Sequence, residues 1–282
     1  MRQLLYLLLL FFFSIFLACE EVGPPVNLSG GGTGGNGGDS SNQRIVLMEE
    51  FTAVACINCP KGHEIIADLL DSFPGRIEVV EIHSGDLAEP INDTDPDFRT
   101  VDGNDLTNYL GPFPFQPSAS IDRKLWEVAP GDFQRLVDRS FWSTFVKSEL
   151  DSAAKVKLTI EKDYNSSSRE LTVILNAEFL EDISDIVNAT ILITESGMVA
   201  AQDNGPVEVI EDYVHKYVLR DILTNYSGEL INASTTTGNT WALSKSITLP
   251  LEWNADNCRI VAFIAKAVGN YDVLQAVGTP VN

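Results

Sequence analysis

Two cysteines three positions apart, Cys56 and Cys59, are the residues of this chain best suited to covalent chemistry. Such a pair either closes a short disulfide or opens to two thiols, and the thiolate is the species that attacks a foreign disulfide. The pair follows an apolar run, Arg44 to Phe51. It precedes Ile65, Ile66, Leu69, Leu70 and Phe73, which recur at helical spacing until Pro74-Gly75 ends the pattern. This placement puts Cys56 at a helix N-terminus, where unpaired N–H groups and the helix dipole favour a thiolate, with Cys59 one turn inside. Two other readings stay open: a purely structural disulfide, or zinc held by Cys56, Cys59 and His63. No second close cysteine pair stands elsewhere in the sequence to complete a zinc site. His63 otherwise reads as an exposed helix residue, and His83 as a satisfied polar residue at a strand end. Cys258, ahead of an apolar strand, reads as a buried free thiol.

The elements that must position this pair are read from periodicity. Ile77 to His83 is a second strand, and a long acidic connection leads to Leu106–Leu110. A proline cluster, Pro112, Pro114 and Pro117, runs into a short strand, Ser118 to Asp122. Asp132 to Leu150 has helical spacing, with Phe133, Leu136, Val137, Phe141 and Phe145 on one side. The order strand, helix, strand, connection, strand, helix predicts a parallel or mixed sheet flanked by helices. From Lys155 the rhythm becomes alternating. Strands are expected at 156–160, 171–179, 189–194, 241–251, 259–267 and 273–277. Glu208 to Leu223 fits both periods and is taken as a strand after a short turn. This half is expected to be an antiparallel β-sandwich. The expected division is an α/β domain over residues 42–152 and an all-β domain over 153–282.

The N-terminus has its own logic. Arg2 precedes an apolar run, Leu4 to Phe16, broken by Ser14, and the run ends at Phe16-Leu17-Ala18-Cys19. It is short for a membrane span and suits a secretory signal over residues 1–18. The ending resembles the bacterial lipobox, which implies acylation of Cys19 and a membrane partner reached through that lipid. Residues 19–41, with Pro24-Pro25 and a glycine run over 30–38, read as a flexible tether. The chain carries 19 basic and 40 acidic residues, a formal net charge of −21, which argues against nucleic acid as a partner. The acidic stretch from Asp86 to Asp105 lacks the EF-hand spacing and reads as a solvated loop. No phosphate-binding glycine motif is present, and neither a cofactor nor a resident metal is expected.

Around the pair, three features resemble the thioredoxin fold. Glu50 matches the acid that fold places beneath its cysteines to assist proton transfer. Phe115-Gln116-Pro117-Ser118 resembles the segment whose cis-proline faces them, and the order of elements matches. Ala55, Ile57-Asn58 and Pro60 depart from the usual motif, which leaves redox potential and substrate open. At larger scale, Val46–Thr52 with Cys56–Pro60, Asp212–Arg220, Asn257–Phe263 and Val273–Ala276 resemble the twenty-eight-kilodalton outer-membrane-protein family of bacterial lipoproteins. That resemblance implies an outer-membrane location, a thioredoxin-like N-terminal domain and an immunoglobulin-like C-terminal one. The expected activity is thiol–disulfide exchange on a protein or peptide partner: Cys56 attacks, Cys59 resolves, Glu50 moves protons and Pro117 shapes the groove. The alternative is a non-enzymatic surface adhesin or receptor, for which both halves serve as scaffold.

Overall fold

Burial along their whole length marks Val46–Thr52 (β1) and Ile77–His83 (β2) as central strands. They pair in parallel, Val46 opposite Ile77 through Thr52 opposite His83. Parallel neighbours need a crossover, and Cys59–Ser72 (α1) supplies it, with Pro60 in its first turn where a missing N–H costs nothing. The computed structural model describes residues 43–282 apart from Pro112 and Val207. The expected signal, tether and Cys19 lie outside the described residues. No helix among those described is long and apolar enough to cross a membrane.

Val101–Leu110 (α2) follows, capped by Thr100, whose hydroxyl accepts from Gly103 N. Ser118–Ile121 (β3) pairs antiparallel with β1. Trp126–Ala129 (β4) and Asp132–Gln134 (β5) form a hairpin, and Leu136–Asp138 (β6) extends the main sheet beside β3. Arg139–Leu150 (α3) then starts late relative to the expected helix over 132–150. Asp138 caps it by accepting from Ser140 N, which fixes the boundary. Leu136 and Val137 are buried as strand residues against β3, and Phe133, on the hairpin, is 57% exposed. Strand pairing has overridden a helical spacing there.

The rest of the chain is β: Val156–Asn165 (β7), Glu170–Phe179 (β8), Val187–Glu195 (β9), Met198–Asp203 (β10), Val209–His215 (β11), Val218–Ile222 (β12), Glu229–Leu230 (β13), Thr240–Thr248 (β14), Cys258–Lys266 (β15) and Val273–Pro280 (β16). The ambiguous stretch over 208–223 is two strands interrupted at Tyr217, whose φ of 54° is in the left-handed region, and both run antiparallel to the β9–β10 segment. A three-stranded sheet, β14-β8-β7, packs on β9, β15 and β16. Leu171, Val173, Leu175 and Phe179 meet Ile191, Ile193, Ile260 and Ile264 in one core. This is a two-layer arrangement.

The main sheet runs β16-β15-β9-β12-β2-β1-β3-β6, with β13 beside β9. The division at 152–153 therefore falls within one sheet. β12 lies parallel to β2 with Val218 opposite Glu81, and Glu81 N donates to Tyr217 O at 2.8 Å. Leu47, Phe51, Val80 and Ile82 share a core with Leu192, Leu219, Val261 and Phe263. Ion pairs tie the same seam. Arg259 holds Glu78 with two bonds of 2.6 and 2.7 Å, and Arg123 holds Glu49 while lying over the Phe263 ring. Part of the acidic connection is fastened too: the Asp95 carboxylate accepts from Ala201 N and that of Asp102 from Ile222 N.

Candidate functional site

The loop between β1 and α1 holds the Cys56–Cys59 disulfide, with Cα atoms 5.4 Å apart. The helix starts at Cys59, with Asn58 as its cap. Cys56 thus sits just ahead of the helix, not at its first residue as expected. Cys59 N donates to Cys56 O at 3.0 Å, so the two cysteines still span one turn at the helix N-terminus. No acid occupies that turn to oppose a thiolate. Cys56 is 4% exposed and Cys59 fully buried, packed with Ala53 and Ala88. Cys258 is the expected buried free thiol; burial pushes it up to about 12, well away from reactivity at neutral pH.

Strand alternation puts Glu50 and Thr52 of β1 and Glu81 and His83 of β2 on the face that α1 covers. Gly62 allows the close approach. A Cβ there would come within 2.7 Å of Glu50 Oε1, 3.0 Å of Trp142 and 3.1 Å of Pro117. Gln116–Pro117 is a cis peptide, and the Gln116 amide donates to Thr52 O and Ser84 O, pinning the segment to the ends of β1 and β2. All four sequence-predicted residues, Cys56, Cys59, Glu50 and Pro117, therefore gather around the first turns of α1. Ile57 and Phe115, each a little over 40% exposed, give the chain segments that carry the site apolar surface.

Several site residues escaped the sequence reading. The buried Gln202 amide donates to Ala53 O and Cys56 O, at 3.3 and 3.2 Å. Asp203 N donates to Val54 O, and Gly205 N to Ile57 O. The β10–β11 hairpin thus clasps the disulfide loop. Its second strand brings Tyr213, whose hydroxyl is 2.7 Å from His63 Nδ1, and His215, whose ring packs on Phe98, His83 and Tyr213. All three histidines of the chain meet here. His63 is largely buried, contrary to the expected exposed helix residue. His83 is buried with neither ring nitrogen hydrogen-bonded, contrary to the expected satisfied polar residue. One signal was available: Glu81, like Glu50, is an acid within a short strand whose Val, Ile, Leu and Phe residues mark it for burial.

Burial sets the protonation. It raises the Glu50 carboxyl well above the usual range, and the Glu81 charge adds to this. It raises Glu81 as well, offset by Lys216. It lowers His63 to about 3, with His215 contributing, and His215 to about 4; His83 falls well below 6.5. His63 Nε2 is 3.6 Å from Glu50 Oε2 and 3.9 Å from Glu81 Oε2. That spacing would suit an ion pair, but desolvation of all three groups favours neutral imidazole facing protonated acids. One donor atom from each of these residues lies within 4.8 Å of the others, a set able to hold a cation. Beside them a cavity of about 420 Å³ is lined by His63, Glu81, Tyr213, Lys216 and Ile66 among others.

Comparison with known proteins places this geometry in context. The family model described as "Outer membrane protein Omp28" matches residues 113–281. Among solved structures, HBP35 of Porphyromonas gingivalis is similar with a TM-score of 0.67 at 18% identity, covering 85% of this chain and 76% of that one. A protein of Agrobacterium tumefaciens gives a TM-score of 0.50 at 13% identity, over 85% of this chain and 96% of that one. A domain of the outer membrane lipoprotein Omp28 from P. gingivalis is 19% identical over 46% of this chain and 89% of that one. Its TM-score of 0.31 carries no structural argument. At these identities the likenesses speak to fold alone. No curated protein matches the chain.

Proposed function

Because the chain belongs to the Omp28 family of outer membrane proteins, we propose that it acts there as a tethered thiol–disulfide exchange protein on extended segments of envelope proteins. Cys19 carries the lipid in this reading, and residues 19–41 let the folded unit move near the membrane. Cys19→Ala should shift the protein from the membrane fraction to the soluble one without unfolding it. Retention of that variant through carbonate washing would mean that the apolar run stays in the bilayer.

The sheet order β2-β1-β3-β6, with α1 crossing between β1 and β2, supports a thioredoxin-like α/β half. The two packed sheets of the second half support an immunoglobulin-like reading. The observation that carries the proposal is the convergence of the disulfide, buried Glu50 and Pro117 on the first turns of α1. In the reduced protein, the Cys56 thiolate attacks a partner disulfide, forms a mixed disulfide and displaces one partner thiolate. Cys59 then attacks the Cys56 sulfur, releases the second partner thiolate and closes the pair. The pair loses the two electrons that the partner gains, and the reverse sequence oxidises a dithiol. Glu50, whose carboxyl burial raises well above the usual carboxylate range, exchanges a proton with the pair. Ile57 and Phe115 offer apolar surface to the partner segment, and Pro117 borders the groove.

Cys59→Ala should trap a mixed disulfide on Cys56 when oxidised glutathione or a disulfide peptide is offered. Glu50→Gln should slow exchange by about 100-fold, the lower end of general acid–base assistance. Absence of any adduct, together with equal and sluggish alkylation of both thiols in reduced protein, would sink this reading. A second reading then stands: a surface adhesin or receptor with a structural disulfide. It is favoured by the β10–β11 clasp, which leaves both cysteines buried.

A further inference from the structure

The sequence offered zinc on Cys56, Cys59 and His63 as a metal reading, and no resident ion was expected. The folded site contains a different donor set, without sulfur. We propose that Glu50, His63 and Glu81 bind one divalent first-row transition ion of the zinc class.

The case begins with register. Glu50 and Glu81 are directly opposite on parallel neighbours and point to one face, an arrangement that like charges disfavour. Both are buried. Glu50 has neither oxygen hydrogen-bonded, and Glu81 Oε2 has no partner either. Unpaired buried carboxyl oxygens are rare because desolvation without a partner is costly. The two acids require either protons or a cation. Two carboxylates and one divalent ion make a neutral set, which burial tolerates better than any partial combination.

His63 completes the set from α1. Its Nδ1 contacts the Tyr213 hydroxyl at 2.7 Å, leaving Nε2 towards the acids. A ring nitrogen fixed by an outer partner is the usual support for a metal-bound histidine. Zinc bonds of about 2.0–2.2 Å in tetrahedral geometry place ligand atoms about 3.3–3.6 Å apart. The 3.6 and 3.9 Å separations from Nε2 are close to that, and all three donor atoms lie within 4.8 Å of one another. Thr52 Oγ1, 3.2 Å from Nε2, is the group the ion would replace. Three protein donors leave a fourth position, and the cavity lined by His63, Glu81 and Tyr213 opens beside them. Mixed imidazole and carboxylate donors suit zinc, cobalt, iron or manganese better than calcium or copper(I).

The inference does not depend on exchange activity. It has one consequence for that activity: an ion holding Glu50 removes it from proton transfer.

The test uses the full chain carrying Cys19→Ala, purified in detergent with the Cys56–Cys59 disulfide intact, so that no accessible thiol competes. Calorimetric titration with zinc chloride should give one equivalent bound, with release of protons from the carboxyl groups. His63→Gln and Glu81→Gln should each weaken binding at least tenfold, whereas Asp68→Asn, on the exposed side of α1, should leave it unchanged. Cobalt(II) added to the protein with those three residues intact should give visible d–d absorption with no thiolate charge-transfer band, which covers the case of a variant that fails to fold. Absence of stoichiometric zinc binding, binding unchanged in both folded variants, or a thiolate band would overturn the proposal. Because the disulfide stays closed throughout, loss of exchange in the earlier experiment and loss of zinc binding in this one are separate results.

Discussion

Expressed separately, residues 42–152 and 153–282 are expected to lack sharp unfolding transitions, while the joined chain melts cooperatively. The reason is the shared sheet. Without the second half, β2 loses β12 from its outer edge, and Leu47, Phe51, Val80 and Ile82 lose the cover of Leu192, Val261 and Phe263. Glu78 loses Arg259, and Arg44 loses the Val273 carbonyl and Gln275 side chain. Exposed apolar faces, an open strand edge and newly unpaired buried charges compound one another. The net stability of a folded domain is only about 5–15 kcal/mol, and losses of this kind exceed it. Differential scanning calorimetry on each fragment and on the whole checks the expectation. A cooperative transition in 42–152 alone would show that its core closes without the second half.

The second large effect concerns Arg123. It follows β3, takes a left-handed φ of 54° and is 2% exposed. Its guanidinium donates from Nη2 to Glu49 Oε1 at 2.6 Å and from Nε to Glu49 Oε2 at 2.9 Å. It also lies 4.6 Å from the centre of the Phe263 ring on β15. Arg123→Ala leaves a fully buried carboxylate uncompensated, which costs about 3–5 kcal/mol. The measured midpoint in urea should fall accordingly. Adding Glu49→Leu to that variant should recover much of the loss, because the stranded charge is then gone. A single-variant loss below about 1 kcal/mol would mean that the pair behaves as an exposed one.

The legible parts of the fold were those governed by local rules. β1 and β2 are short strands rich in Val, Leu, Met, Ile and Phe, and α1 shows its apolar stripe between a cysteine pair and Pro74-Gly75. β7, β8 and β14 alternate visibly, and β9 and β15 are nearly continuous apolar runs. The region over 132–138 misled because Phe133, Leu136 and Val137 match a helical face by spacing while lying on two short strands. Only pairing with β3 distinguishes the two, and pairing is non-local. The same distinction divides the site. Cys56, Cys59, Glu50 and Pro117 lie within one recognisable order of elements. Gln202, Tyr213 and His215 come from a hairpin far along the chain, and no local pattern announces that it folds over residues 53–57. Glu81 was the readable exception, since an acid inside an apolar strand must find a partner. The division at 152–153 follows a real change of rhythm, but rhythm reports which elements form, not which edge they join.

Chain order gives the β10–β11 clasp a role in maturation. The polypeptide emerges from its N-terminus, so Cys56 and Cys59 are outside long before Gln202 can reach their loop. Until then the loop lacks its bonds from Gln202, Asp203 and Gly205, and β2 still waits for Val218 to cover its edge. Arrival of the hairpin ends that interval. The loop that carries the pair is completed by a residue nearly 150 positions further along the chain.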